Sequence, residues 1–228
     1  MKRTTGTTWQ RHKVALEAIA GALLASLVSA GPAFAATLSL VVLKKDGNPL
    51  PGAVLTAEPE APRLPPAAPV GAVVDQVDLA FVPDVIVVPV GSSVSFPNSD
   101  EVSHQVYSFS PARRFQLPLY RGKPYPPVTF DKPGIVTLGC NIHDSMISYV
   151  VVTDAPFFGR TDAKGAWVAR NAPEGTYRIR LWHPLLNELT ATFERPVHLA
   201  SDGGDITLRL DRPLRPAPLN AHPHSWDY

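Results

Sequence analysis

The chain has 228 residues, of which 25 are proline and one is cysteine, and its formal net charge is +1. A charge so near zero excludes a nucleic-acid binder with a basic face, and a single cysteine excludes an internal disulfide framework. Prolines spread through the sequence exclude long helices, because each interior proline removes a hydrogen bond and clashes with the preceding turn. Alternating β-branched runs between proline and glycine clusters predict an all-β protein.

Lys2, Arg3, Arg11 and Lys13 precede an apolar, small-residue run from Ala18 to Ala30, and Ala33-Phe34-Ala35 supplies the small-x-small pattern that signal peptidase accepts. Residues 1–35 therefore read as a signal peptide cleaved before Ala36. An apolar run of about 13 residues is too short for a hydrocarbon core of roughly 30 Å. The residue directly after the cleavage point is Ala36, not a cysteine that could take a lipid, and no later segment reaches spanning length. The mature protein is expected in a bacterial periplasm, with no membrane span. Loss of Lys2, Arg3, Arg11, Lys13 and Glu17 turns the net charge from +1 to −2, which points to no class of partner.

Thr37 to Leu43 alternates as a strand, Lys45-Asp46-Gly47-Asn48 reads as a turn, and Ala53-Val54-Leu55 resumes an extended run. Residues 58–69 are proline-rich and read as a linker or surface loop. From Val73 to Thr153 the pattern is of successive strands. Val85–Val90 turns at Gly91-Ser92 into Val94–Phe96, Val128–Phe130 turns at Asp131–Gly134 into Ile135–Leu138, and Ile147–Thr153 is strongly apolar. A second β unit begins near Pro156, with turns at Thr161–Gly165 and Pro173–Gly175 and strands at Trp167–Ala169, Tyr177–Trp182 and Ile206–Leu210. The proline-rich stretch 212–228 reads as a flexible tail.

The most informative segment is Cys140-Asn141-Ile142-His143-Asp144-Ser145-Met146. In an oxidising compartment an unpaired thiol is deeply buried, reactive by design, or bound to metal. Here a thiol, an imidazole and a thioether fall within seven residues, between two apolar strands. Soft sulfur beside imidazole suits copper, and a His2Cys set with a weak axial Met is the donor pattern of electron-transfer copper sites. That set needs a second histidine; His104, 36 residues before Cys140, is the candidate. Singly, each residue has a simpler reading: a buried small hydrophobe for Cys140, core for Met146, a surface loop for His104.

The run Phe81-x-Pro83, Ile86-x-Val88, Gly91-x-x-Val94-x-Phe96-x-Asn98-x-Asp100-x-x-x-His104 resembles the first half of a cupredoxin, and the Cys-x2-His-x2-Met loop is similar to that of amicyanin. The chain also resembles exported cupredoxin-like proteins labelled methylamine utilization proteins, whose ligand loop likewise begins with a CNIHD-type sequence. The resemblance implies a Greek-key β-sandwich over residues 72–153, with one type 1 copper held by His104, Cys140, His143 and Met146 at one end. It further implies a mononuclear electron carrier that serves a redox partner protein, a cytochrome or a dehydrogenase, with His143 as the electron port. One departure stands out: the residue after the upstream histidine is commonly Asn in the family, where it ties the two ligand loops, and here it is Gln105. Asn98 and Asn141 are candidates to replace that tether.

Thr161-Asp162-Ala163-x-Gly165-x-Trp167 and Pro173-Glu174-Gly175-Thr176-Tyr177 resemble the later half of a carboxypeptidase regulatory-like (transthyretin-like) domain, whose early half matches Lys45–Val54. The resemblance implies a smaller β-sandwich built from residues 36–60 and 156–211, with the cupredoxin region inserted in it. Two alternatives to the carrier remain: a periplasmic copper storage or delivery protein, and a metal-free β-sandwich interaction module. An enzyme is not expected, since a multicopper oxidase needs several His-x-His pairs and this chain has one, His222-Pro223-His224, in the tail.

Overall fold

The computed structural model describes residues 35–122, 124–186 and 193–216. The expected signal peptide up to Phe34, Lys123 and most of the expected tail, with its His-x-His pair, lie outside the described residues. Every regular element among the described residues is a strand, as the composition predicts, and no helix is long and apolar enough to cross a membrane.

The chain opens with β1 (Ala35–Leu43) and β2 (Val54–Pro59). Ten strands follow: β3 (Gly71–Val73), β4 (Asp75–Val77), β5 (Ala80–Val82), β6 (Val85–Pro89), β7 (Ser92–Ser95), β8 (Tyr107–Ser108), β9 (Phe115–Gln116), β10 (Val128–Phe130), β11 (Gly134–Gly139) and β12 (Ile147–Thr153). The last five are β13 (Phe157–Arg160), β14 (Ala166–Pro173), β15 (Gly175–Trp182), β16 (Phe193–Leu199) and β17 (Gly204–Arg209).

Two pairs of sheets result. In the first, β14-β1-β17 shares a core with β13-β2-β15-β16. β1 pairs antiparallel with β14 and parallel with β17, while β2 pairs antiparallel with β13 and β15. Strict alternation in β1 sends Leu38, Leu40 and Val42 inward, each fully buried against Leu55, Tyr177, Ile179 and Leu181. The expected turn at Thr161–Gly165 forms because the Asp162 carboxylate accepts the backbone N–H groups of Lys164 and Ala166, both at 2.8 Å. Gly165 is required there: φ is +71°, and a Cβ would come within 2.4 Å of the Val42 carbonyl oxygen. The strand expected at Trp167–Ala169 is longer than its local pattern suggests, since β1 pairs with it on both sides of an irregularity, at 166–169 and again at Ala172 and Pro173.

In the second pair, β10-β7-β3 faces β6-β12-β11-β8-β9, with β4-β5 as a separate hairpin. Val88, Val94, Phe96, Phe130, Val136, Leu138, Val150 and Val152 form its core. Phe115 stacks on Phe96 at 5.7 Å, whereas Phe109, from the same long connection, is 70% exposed. A small apolar seam of Val54, Val85, Val151 and Trp182 joins the two pairs of sheets, with Tyr149 edge-on to Trp182 at 5.1 Å. Arg160 reinforces it by donating to the Val85 carbonyl at 2.7 Å.

Two stretches read as loose are held. Glu58 and Pro59 belong to β2, paired with Arg178 and Tyr177, so the proline-rich connection starts after them. At the other end Leu214 packs on the first core, and Arg215 donates from its backbone to Leu185 and from its guanidinium to the Pro184 carbonyl. Backbone and side-chain bonds together hold this first part of the tail against the body.

Candidate metal centre

β11 and β12 run antiparallel in unbroken register from Gly134↔Val152 to Gly139↔Ile147. The seven residues 140–146 are therefore a closed connection whose two ends are fixed by the sheet. The Met146 N–H bonds the His143 carbonyl at 3.0 Å and tightens the loop. Its end residues point inward: Cys140 is 3% exposed and Met146 1% exposed, and both belong to the core cluster with Phe96 and Leu138. Its middle residues Asn141, Ile142, Asp144 and Ser145 face solvent, and His143 is half-buried.

His104 arrives on the loop between β7 and β8 and is fully buried. Its N–H and carbonyl both bond Tyr120, each at 3.0 Å. Asn98 shapes the loop from within, with its amide donating to the carbonyls of Val102 (3.0 Å) and Tyr120 (2.9 Å) while its carbonyl oxygen accepts the Asp100 N–H (3.0 Å). The imidazole Nδ1 then lies 4.0 Å from Cys140 Sγ, and the His104 and His143 rings meet edge-on at 5.0 Å. One ligand atom from each of His104, Cys140 and His143 falls within 4.8 Å of the others. These three residues form a candidate metal site.

The donor set fits a small, soft-to-borderline ion. Metal–nitrogen bonds of about 2.0 Å and metal–sulfur bonds of about 2.3 Å let one ion bridge N and S atoms up to about 4.3 Å apart, which the 4.0 Å pair satisfies. The Nδ1 atom of His143 is buried and finds no hydrogen-bond partner among the described residues. A buried ring nitrogen of this kind is costly unless something binds it, and an ion among the three donors would do so.

On the far side of His104, Nε2 lies 2.6 Å from Asp100 Oδ2. Burial acts to raise the Asp100 pKa, but the Leu79 N–H, the His104 ring and the Asp78 N–H more than offset it and hold the carboxyl below its ordinary value. Both oxygens of the Asp100 carboxyl accept backbone N–H groups, Oδ1 from Asp78 at 2.6 Å and Oδ2 from Leu79 at 3.0 Å, so the group acts as an acceptor. The Nε2 atom of His104 carries the proton of that bond, and the Nδ1 lone pair is left facing the thiol.

Of the two candidate tethers, Asn141 is the one that joins the loops: its amide donates to Gln105 Oε1 at 2.7 Å. The longer Gln side chain spans the gap, and the contact is exposed. Asn98 works on its own loop and on Tyr120. Sequence reasoning assigned no role to Asp100 or Gln76. For Asp100 the available signal was its place four residues before His104; for Gln76, fully buried yet surrounded in sequence by ordinary strand residues, there was none.

Gln76 donates to Tyr120 Oη at 2.6 Å and to the Pro97 carbonyl at 2.7 Å, and Tyr120 Oη donates to the Phe96 carbonyl. Burial pushes the Tyr120 phenol up to about 12. The Gln76 Oε1 atom has no partner among the described residues, so the network rests on the Gln76 amide N–H groups and the Tyr120 hydroxyl. Tyr120→Phe is expected to lower stability by about 1–3 kcal/mol through the polar groups it strands, seen as a lower urea midpoint with unchanged slope.

No family model matches the chain, and no curated protein does. Among solved structures, a Cu(I) mutant of amicyanin aligns at 22% identity over 36% of this chain and 82% of its own, with a TM-score of 0.34. A purple cupredoxin from Nitrosopumilus maritimus aligns at 21% over 36% of this chain and 99% of its own, TM-score 0.32. A copper-containing nitrite reductase from Thermus scotoductus aligns at 27% over 42% of this chain and only 25% of its own, TM-score 0.34. The scores are low, and each likeness spans less than half of this chain.

Proposed function

We propose that the protein is an exported electron carrier that holds one type 1 copper through His104, Cys140 and His143, with Met146 as a weak axial donor. The observation that carries this reading is the triad itself: a buried thiol and two imidazoles with ligand atoms within 4.8 Å, one of whose nitrogens is buried with no hydrogen-bond partner among the described residues. Copper, when bound, supplies one-electron chemistry between Cu(I) and Cu(II). The residues of the chain do the rest. The sheet register and the Asn98 bonds set the two loops before any ion arrives, so the donors need little rearrangement between redox states. The core around Cys140 and Met146 keeps water from the sulfur side, and half-buried His143 is the donor nearest solvent, suited to pass an electron to a cytochrome or a dehydrogenase.

Supporting the exported location are the basic, apolar and small-residue regions of residues 1–35. Among the described residues the strand partners of β1 and β2 are β13, β14, β15 and β17, which supports reading residues 72–153 as a module inserted in a transthyretin-like sandwich. We read the protein as a carrier rather than an enzyme, since its single His-x-His pair cannot furnish an oxidase cluster as well.

Titration of the copper-free protein with Cu(II), followed by visible absorption and electron paramagnetic resonance, tests the reading. One equivalent is expected to generate an intense thiolate-to-copper band and a small copper hyperfine splitting, and mixing with reduced cytochrome c is expected to bleach the band rapidly. A colourless complex overturns the type 1 assignment. A coloured complex that gives up copper to a chelator but exchanges no electrons overturns the carrier role in favour of delivery.

A further inference from the structure

Resting on that copper reading, we propose that Asp100 is a positioning residue for the site: it fixes the tautomer and plane of His104 and biases the bound ion toward its oxidised state. The carboxylate is itself built in. Its side chain is 10% exposed, Oδ1 accepts the Asp78 N–H at 2.6 Å, and Oδ2 accepts the Leu79 N–H at 3.0 Å. Its own backbone N–H is held by Asn98. Asp78 and Leu79 form the turn of the β4–β5 hairpin and both sit in the left-handed region, at φ 51° and 60°. Neither is glycine, so the conformation is unfavourable by itself. It aims two consecutive N–H groups at one carboxylate, and the bonds they form hold the turn in place.

A clamp of backbone donors therefore grips Asp100 from one side, and Asp100 grips Nε2 of His104 from the other at 2.6 Å. Two consequences follow. With Nε2–H committed, Nδ1 is left as a lone pair directed toward Cys140 Sγ, and the ring cannot flip without breaking the bond. An anion hydrogen-bonded to the far nitrogen also makes the near nitrogen a stronger donor, which favours the more highly charged ion. Outer carboxylates of this kind are worth about 10–100-fold in metal affinity.

The test uses Asp100→Asn, which keeps an acceptor oxygen and removes the charge, and Asp100→Ala, which removes both. In the metal-free full-length protein, nitrogen-15 NMR of the His104 ring is expected to report a proton on Nε2 for the parent and Asp100→Asn, and mixed tautomers for Asp100→Ala. On copper loading, Asp100→Ala is expected to lose about 10–100-fold in Cu(II) affinity. Asp100→Asn is expected to shift the Cu(II)/Cu(I) affinity ratio about tenfold toward Cu(I), a rise of about 59 mV for one electron. An unchanged tautomer in Asp100→Ala together with an unchanged affinity ratio in Asp100→Asn overturns the proposal. Should Asp100→Ala fail to fold, the Asp100→Asn potential decides. Should the parent bind no copper, the copper reading falls and the tautomer alone decides whether Asp100 orients His104.

Discussion

A Cys140→Ser protein exposed to Cu(II) is expected to stay colourless and to lose more than about 100-fold in copper affinity, beyond what an outer-shell change costs. The thiolate is the soft member of the donor set and the source of charge transfer to the ion; a serine hydroxyl is hard and stays protonated at neutral pH, so it supplies neither. The fold should survive. Cys140 is a small buried side chain in a core held by many larger ones, and replacing sulfur by oxygen changes volume little. Near-ultraviolet circular dichroism and the urea midpoint of the metal-free variant separate a lost ligand from a lost fold. Retention of an intense visible band by folded Cys140→Ser would place the copper elsewhere and remove the basis for the proposed function.

The second large effect lies far from the metal centre. The copper-free protein is expected to lose about 3 kcal/mol of stability as pH falls from about 6.5 to about 4, through one residue, His183. His183 is 2% exposed. Desolvation first, then the positive charges of Arg160 and Lys44, outweigh its hydrogen bond to the Pro51 carbonyl and push its pKa down from 6.5 to about 4. Nδ1 accepts the Leu185 N–H at 3.1 Å, so a proton on that atom would face a donor. The sign follows from which state binds the proton. Above about 6.5 neither state does and this residue contributes no slope. Between 6.5 and 4 the unfolded chain takes up a proton that the folded chain refuses, and stability drops; below 4 both are protonated and the loss levels off. Urea unfolding at pH 7 and pH 4.5 measures it, and His183→Gln should flatten that interval whatever it does to absolute stability. An equally steep slope in the variant would assign the acid sensitivity to other groups.

Much of the site was legible because it is written locally. A thiol, an imidazole and a thioether in seven residues between two apolar strands can be read without knowing what packs above them, and the register of β11 on β12 brings the loop ends together as the pattern implies. The turn at Asp162–Gly165 was equally plain, since an Asp that caps the next amides and a glycine at positive φ are chemistry of adjacent residues. The Gln105–Asn141 contact was half legible: the gap left by a missing Asn could be seen, and which residue filled it could not.

What stayed hidden depends on groups that meet only after the chain has folded. The reach of Asp100 to His104 counts for little until a turn from another hairpin presents two N–H groups to the same carboxylate. Gln76 looks like an ordinary polar strand residue until Tyr120, 44 residues away, is buried over it. His183 is an unremarkable histidine until burial and two nearby cations withhold its proton. By itself the sequence determined that the described residues form strands and where the turn at Asp162–Gly165 falls, because periodicity and turn chemistry act between near neighbours. Only the tertiary structure decided the parallel pairing of β1 with β17, the clamp behind His104 and the state of each buried polar group, because these are set by desolvation and by partners distant along the chain.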